Sequence, residues 1–438
     1  MSTDDLITDL KAKENIEAYW DFRRNDQRSH VHSMIKYPAV MVPNMQGEIF
    51  DLILKHDSDI HNVLDPFMGS GTILVEGLIR NLDVAGIDIN PLSYLITLVK
   101  TQNYPEKTLR LKIEQLQQRI LDNNNAHIEL LDFDGINKWY TDEVIKQLSL
   151  IRYCILIEPD IKYRRFFWVA FADIAKQSDN ARTSTFKLHI KFEQTIQDTD
   201  FDCIKSFSEK IVANRDAVIE FKKLKGNGKV HIYCADSKDT LCDKRSFPEG
   251  CADLIITSPP YGDNATTITY GQYSVLPLRW IPLTDIKDSI SEKLVSSLSE
   301  IDRESLGGVK YPLEQLQESG ILQESVQLKS FVDTLIEENM IDKARKVASF
   351  ILDFSDVLKD LSIVLKPKKL MVFTVGNRHV NKKEFPLHLV IKELAAVHGL
   401  DVLYDFRRNI IKNKNYVDTS VQGFKTINKE TIMILQKR

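Results

Sequence analysis

The stretch from Asn62 to Ile79 constrains the fold more than any other part of the chain. A short apolar run, Asn62-Val63-Leu64, ends in Asp65-Pro66-Phe67-Met68-Gly69-Ser70-Gly71-Thr72, and an apolar helical stretch follows from Ile73 to Ile79. Val84-Ala85-Gly86-Ile87-Asp88 reads as a second strand, with another helix opening after Pro91. Strand, glycine turn, helix, strand, helix is the order of a parallel α/β unit. Such a unit cannot bury its strands alone, so the rest of the chain must extend the sheet and cover both faces.

The remaining strands lie far along the sequence. Val230 to Ala235 and Ala252 to Thr257 are strand-like, as are Leu370 to Val375, Leu400 to Asp405 and Thr431 to Leu435. Helices are expected from about Val347 to Leu365 and from Leu387 to Val397. Between Asn103 and Lys229 the pattern is amphipathic and helical, and from Gly262 to about Ala344 it is broken by Gly, Ser and Pro. At the front, the first thirty or so residues read as a helix carrying Trp20, Phe22, Arg23 and Arg24, and Pro38 breaks the pattern before an apolar helix to about Leu54. The economical reading is one doubly wound α/β sheet with two large insertions. It divides the chain into 1–102 (N-terminal helices and half of the core), 103–229 (first insertion), 230–261 (core strands), 262–346 (second insertion) and 347–438 (the closing part of the core).

Composition narrows the class. Hydrophobic residues make up 43% and charged residues 27%, enough to bury a core. No apolar run is long enough to span a bilayer, and the acidic Met1-Ser2-Thr3-Asp4-Asp5 start is unlike a basic leader, so a cytoplasmic location is expected. The five cysteines are scattered with no Cys-x-x-Cys pair, and no metal site is expected. The net charge of −4 is unusual for a nucleic-acid binder, although phosphate binding needs only a locally positive cleft.

The glycine turn sits where an open parallel sheet binds its ligand, at the carboxyl end of the first strand. Gly69 and Gly71 let the backbone turn sharply and approach a ligand, and the next helix offers free N–H groups. The spacing is neither a phosphate-binding P-loop nor a dinucleotide fingerprint. Asp65, Asp88 and Asp236 each end a strand. Asp88 is placed to accept from ribose hydroxyls. Asp236 is placed to meet an adenine amino group, with helix N-capping as the competing role.

Thr257-Ser258-Pro259-Pro260-Tyr261 follows the fourth apolar strand directly. Two consecutive prolines fix the backbone, so the Pro259 carbonyl points one way. Ser258 adds a hydroxyl acceptor and Tyr261 a flat ring. Two fixed acceptors suit an exocyclic amino group, whose lone pair is delocalised into its ring until its N–H bonds are gripped. That is catalysis by orientation and electrostatics, with no covalent intermediate. A base must leave the duplex to reach such a loop.

Together, Asp65-Pro66-Phe67-Met68-Gly69-Ser70-Gly71-Thr72 and Ser258-Pro259-Pro260-Tyr261 resemble the exocyclic-amino DNA methyltransferase family, which makes N4-methylcytosine or N6-methyladenine. The resemblance covers the sheet segments, about half of the chain. It implies a Rossmann-like methyltransferase sheet with an antiparallel last strand, S-adenosylmethionine as cofactor, double-stranded DNA as partner and a cognate restriction enzyme as a further candidate partner. It implies a cofactor loop of Asp65, Pro66, Phe67, Gly69, Gly71 and Thr72, a ribose site at Asp88, and a catalytic loop from Ser258 to Tyr261. Adenine enzymes of the family mostly carry Asp or Asn before Pro-Pro-Tyr, so Ser258 favours cytosine N4, with adenine N6 as the alternative. An RNA base methyltransferase and a silent nucleic-acid-binding scaffold are the rivals. A cytosine-C5 enzyme is disfavoured, because no Pro-Cys dipeptide supplies its nucleophile.

Either insertion is a candidate for reading DNA. In the first, Arg164, Arg165, Arg182 and Lys187 lie near Trp168 and Phe186, a mix suited to phosphate contact and stacking; the alternative is a solvated helix face with Trp168 in the core. After the catalytic loop, Asn264, Tyr270 and Gln272 are candidates for the pocket wall.

Overall fold

The computed structural model describes residues 3–22, 29–182, 187–198, 200–263, 267–410 and 428–438. Seven strands form the main sheet: β1 (Asn62–Asp65), β2 (Asp83–Asp88), β3 (Val230–Cys234), β4 (Ala252–Thr257), β5 (Leu365–Gly376), β6 (Leu400–Asn409) and β7 (Lys429–Lys437). Their order across the sheet is β3-β2-β1-β4-β5-β7-β6. β1 pairs in parallel with β2 and β4, as do β2 with β3 and β4 with β5. β7 runs antiparallel to both of its neighbours. The expected doubly wound, mostly parallel sheet with a reversed last strand is therefore present.

Period-two alternation sorts the strands onto two cores. Val63, Leu254, Ile256, Leu370, Val372, Ile432 and Ile434 face one side. Leu64, Ile255, Met371, Phe373, Met433 and Leu435 face the other. The first side is covered by helices Pro43–His56, Thr72–Ile79 and Pro91–Thr101, and beyond them by Glu106–Asp122, Asp142–Leu156, Ile161–Gln177 and Cys203–Leu224. The second is covered by Val326–Glu337, Ile341–Val364 and Leu387–Val397. The helices of 103–229 thus share one continuous core with the sheet.

Two local expectations change. The N-terminal helix stops at Glu14, and Trp20 lies on a short 3₁₀ turn, Tyr19–Asp21, packed at a tilt against Phe406 of β6 with centroids 4.6 Å apart. Residues Ala18 and Phe22 flank that turn with positive φ, which ends helical geometry on both sides. Arg23 and Arg24 lie outside the described residues. β5 begins at Leu365 rather than Leu370, because Leu365 pairs with Ala252 of β4 ahead of a register shift.

Candidate active site

At the carboxyl edge of the sheet, the loop after β1 is held from beneath. Asp65 ends β1 fully buried, and its Oδ1 accepts from the Phe67 amide at 3.1 Å and from the Thr257 hydroxyl of β4 at 2.6 Å. Asp65 therefore ties the glycine loop to the strand that carries Ser258. Its Oδ2 is buried with no partner among the described residues. Burial pushes the Asp65 carboxyl up to about 7, with nearby Asp88 adding to the rise.

The loop turns through Gly69 and Gly71, at φ +49° and +78°. Asp88 at the end of β2 accepts from the Gly69 amide at 2.9 Å and from the Asn90 amide at 2.8 Å. Burial raises its pKa above the usual carboxylate range. The loop carbonyls are held by helix Pro91–Thr101: Ser93 and Thr97 donate to Gly69 O, the latter at 3.1 Å, and buried Lys100 donates to Ser70 O at 2.8 Å. These carbonyl anchors leave the opposite side of the loop facing the cleft.

Gly71 has a different reason for being glycine than the sequence suggested. A Cβ there would sit 2.8 Å from Thr97 Cγ2 and Oγ1, inside the protein rather than against a ligand. A Cβ at Gly69 would meet only Tyr37 Cε1, at an ordinary 3.9 Å, so its φ rather than crowding calls for glycine.

A single pocket gathers most of the motif residues. It is lined by Phe67, Gly69, Thr72, Asp88, Asp236, Ser258, Pro260 and Tyr270. Asp236 also caps helix Ser237–Cys242, accepting from the Lys238 amide at 2.8 Å, so both roles weighed for it are geometrically open. Asp65, Pro66, Gly71, Pro259 and Tyr261 do not line the pocket. They frame it: Pro66 O accepts from Ser237, and Tyr261 donates to Glu430 Oε1 on β7 at 3.1 Å.

The other wall was not found from sequence. Tyr37, Pro38, Ala39, Val40 and Met41 close one side, and Ile301, Ser305 and Leu306 another. Tyr37 stacks on Tyr270, with centroids 6.0 Å apart, and its hydroxyl accepts from Asn90 Nδ2 at 3.1 Å. Ser93, Thr97 and Lys100 did leave a signal: a polar stripe on one face of an otherwise apolar helix. The Tyr37 segment left none beyond its proline.

The proposed DNA contacts of the first insertion are placed elsewhere. Arg164 Nη2 pairs with Asp285 Oδ1 at 2.8 Å, Arg165 Nε donates to the Asp285 carbonyl at 2.7 Å, and fully buried Trp168 donates to Asp285 Oδ2 at 2.8 Å. These three side chains clamp helix Ile161–Gln177 onto the second insertion, so Trp168 is core. Arg182 is exposed, donates to Ile190 O at 2.9 Å and covers the Phe192 ring at 4.6 Å. Lys187 is also exposed. Gln272 Oε1 accepts from the Leu188 amide at 3.0 Å, away from the pocket. Asn264 and Phe186 lie outside the described residues.

One buried cluster lies outside the pocket. His30, His32 and Glu76 offer ligand atoms within 4.8 Å of one another. Glu76 is already shared, with His32 Nε2 at 3.0 Å and Arg80 Nη1 at 2.8 Å, and so braces helix Thr72–Ile79.

The strand order, the reversed strand and an acid-lined cleft at the carboxyl edge define a Rossmann-like fold of the methyltransferase type. Over 429 residues the chain is 32% identical to the Type II methyltransferase M.MvaI of Kocuria varians, spanning 92% of this chain and 90% of that relative. It belongs to the Type II methyltransferase family. Over 201 residues it is also 29% identical to the Type II methyltransferase M.MjaII of Methanocaldococcus jannaschii, covering 46% of this chain and 29% of that protein. Among solved structures, the rRNA methyltransferase aviRa from Streptomyces viridochromogenes aligns with 91% of this chain and 86% of its own, at 12% identity and a TM-score of 0.31. No protein-family model matches the chain. Among the described residues, no helix is long and apolar enough to cross a membrane.

Proposed function

We propose that this methyltransferase transfers a methyl group from S-adenosylmethionine to the exocyclic amino group of a flipped base in double-stranded DNA, cytosine N4 foremost and adenine N6 as the alternative. The observation that carries the reading is that Ser258 and Pro260 share one pocket with Gly69, Asp88 and Asp236. The catalytic loop and the cofactor loop thus open onto the same space.

The pocket suits this cofactor on electrostatic grounds. Burial raises the pKa values of Asp65, Asp88 and Asp236, as expected where acids are short of compensating charge. A ligand carrying a sulfonium and an ammonium would supply that charge beside Asp88 and Asp236, which line the pocket. Asp88 would hold the ribose, Phe67 and the apolar wall the adenine, and Asp236 the adenine amino group. When bound, the cofactor supplies an electrophilic methyl group. Ser258 Oγ and the Pro259 carbonyl would accept from the two N–H bonds of the target amine and turn its lone pair toward that methyl. Tyr270 and Tyr37 offer aromatic faces beside the same space.

Support for DNA comes from the Type II methyltransferase named above and from the family resemblance of both loops. A cognate restriction enzyme follows from the same reading as a partner. Incubation with methyl-labelled cofactor, and either duplex DNA or structured RNA, tests it. Label in DNA alone is expected. Label in RNA alone would transfer the reading to RNA, and label in neither would leave a silent scaffold.

A further inference from the structure

The last strand reaches the site from the opposite direction to the others. Because β7 is antiparallel, its first residues lie where the parallel strands end. Glu430, its second residue, is in register with Gly376 of β5 and Arg408 of β6. Each oxygen of its carboxylate has a partner: Oε2 accepts from Arg408 Nε at 2.7 Å and Oε1 from the Tyr261 hydroxyl at 3.1 Å. The Arg408 side chain is only 4% exposed and also donates to Trp20 O at 3.4 Å, so the carboxylate is held by a fixed, buried guanidinium. The Tyr261 oxygen lies 3.5 Å from Ser258 Oγ.

Hydrogen counting gives this row a direction. A carboxylate only accepts, so Tyr261 gives its one hydrogen to Glu430. The phenol oxygen then has only lone pairs to offer, so Ser258 must donate to it. With its single hydrogen turned inward, Ser258 presents only lone pairs to the pocket. An acceptor is what an amino group's N–H requires. Bonds in such a row also polarise one another, which strengthens the terminal acceptor.

We propose that Glu430, held by Arg408, is a positioning residue for methyl transfer: it sets the direction of the Ser258–Tyr261–Glu430 row so that Ser258 meets the target amino group as an acceptor. This rests on the catalytic-loop reading given under Proposed function. Glu430 is not part of the pocket lining, so it acts through Tyr261 and Ser258, and no proton leaves the row.

The test uses the full chain with duplex DNA and labelled cofactor, comparing wild type, Glu430→Gln, Tyr261→Phe and the double variant. Gln keeps the shape of Glu430 but adds an N–H that can donate to Tyr261 and let the row reverse. Tyr261→Phe removes one hydroxyl and keeps the ring, so it protects the test against a folding defect at the Arg408 pair. Each single variant should lower kcat about ten- to a hundredfold, the equivalent of one hydrogen bond to a charged group. Calorimetric affinity for S-adenosylhomocysteine should stay within about twofold, because no ligand contact changes. The double variant should be no slower than the slower single, because both break one row. An active wild type with unaffected variants, with additive losses, or with cofactor affinity falling alongside kcat would overturn the inference. A wild type that transfers no methyl to DNA would overturn the catalytic reading itself, and this inference with it.

Discussion

Gly71 offers a sharp energetic test of how the glycine loop is built. Gly71→Ala places a Cβ 2.8 Å from Thr97 Cγ2 and Oγ1 and 3.2 Å from Thr97 Cβ, at a φ of +78°. The left-handed backbone costs an alanine about 1–2 kcal/mol. Overpacking against Thr97 adds about 1–3 kcal/mol. Thr97 cannot simply rotate away, because its hydroxyl donates to Gly69 O at 3.1 Å, a bond worth about 0.5–1.5 kcal/mol. A total of about 2–5 kcal/mol is therefore expected in urea unfolding. Thr97→Ala removes both atoms at 2.8 Å and leaves only the 3.2 Å contact. The double variant should recover the overpacking term, a coupling of about 1–3 kcal/mol, and keep the backbone term. Affinity for S-adenosylhomocysteine should recover with it, since the new methyl points at Thr97 and not into the pocket. Strict additivity, or a Gly71→Ala protein as stable as wild type, would refute this packing argument.

Other substitutions probe separate parts of the site. Asp88→Ala should weaken S-adenosylhomocysteine binding about tenfold or more by calorimetry, the loss of a charged hydrogen bond; unchanged affinity in a folded protein would remove Asp88 from the cofactor site. Because the buried Asp65 carboxyl has its pKa raised from 3.8 to about 7, its contribution to stability is complete below 3.8 and is lost as pH rises through 7. Asp65→Asn stays neutral, so its thermal midpoint should fall less than that of wild type across that window; parallel pH profiles would contradict the assignment. Arg164→Glu should lower the thermal midpoint, because it sets a second carboxylate against buried Asp285; a reduced affinity for DNA with unchanged stability would restore the DNA-contact role. Ser258→Ala should lower turnover far more than cofactor affinity in single-turnover assays, and equal losses in both would argue against a role in chemistry.

The sheet was legible because its strands obey local rules: they are apolar runs, and the first four are closed by an acid or a proline turn. The position of Asp65, Asp88 and Ser258 at the carboxyl edge was legible for the same reason, since each lies at a strand end and topology carries strand ends to one edge. The far wall of the pocket was not legible. Tyr37 to Met41 come from an irregular segment before the first strand, and Ile301 to Leu306 from the second insertion, so only tertiary packing brings them to the site. Glu430 was hidden differently. Its strand was recognised, but only the reversed direction of β7 places its first residues beside the Ser258–Tyr261 loop. Arg164, Arg165 and Trp168 show the converse failure. A basic and aromatic cluster reads as a nucleic-acid surface until Asp285, more than a hundred residues away, supplies its partner.

The proposed reaction is methyl transfer to an exocyclic amino group of a base in DNA. The measurement that meets it most directly is mass spectrometry of nucleosides released from duplex DNA after incubation with the purified protein and S-adenosylmethionine. N4-methylcytosine is expected at a fraction of cytosines set by the recognition sequence. N6-methyladenine without N4-methylcytosine would overturn the choice of base, and 5-methylcytosine, or no methylated nucleoside at all, would contradict the mechanism itself.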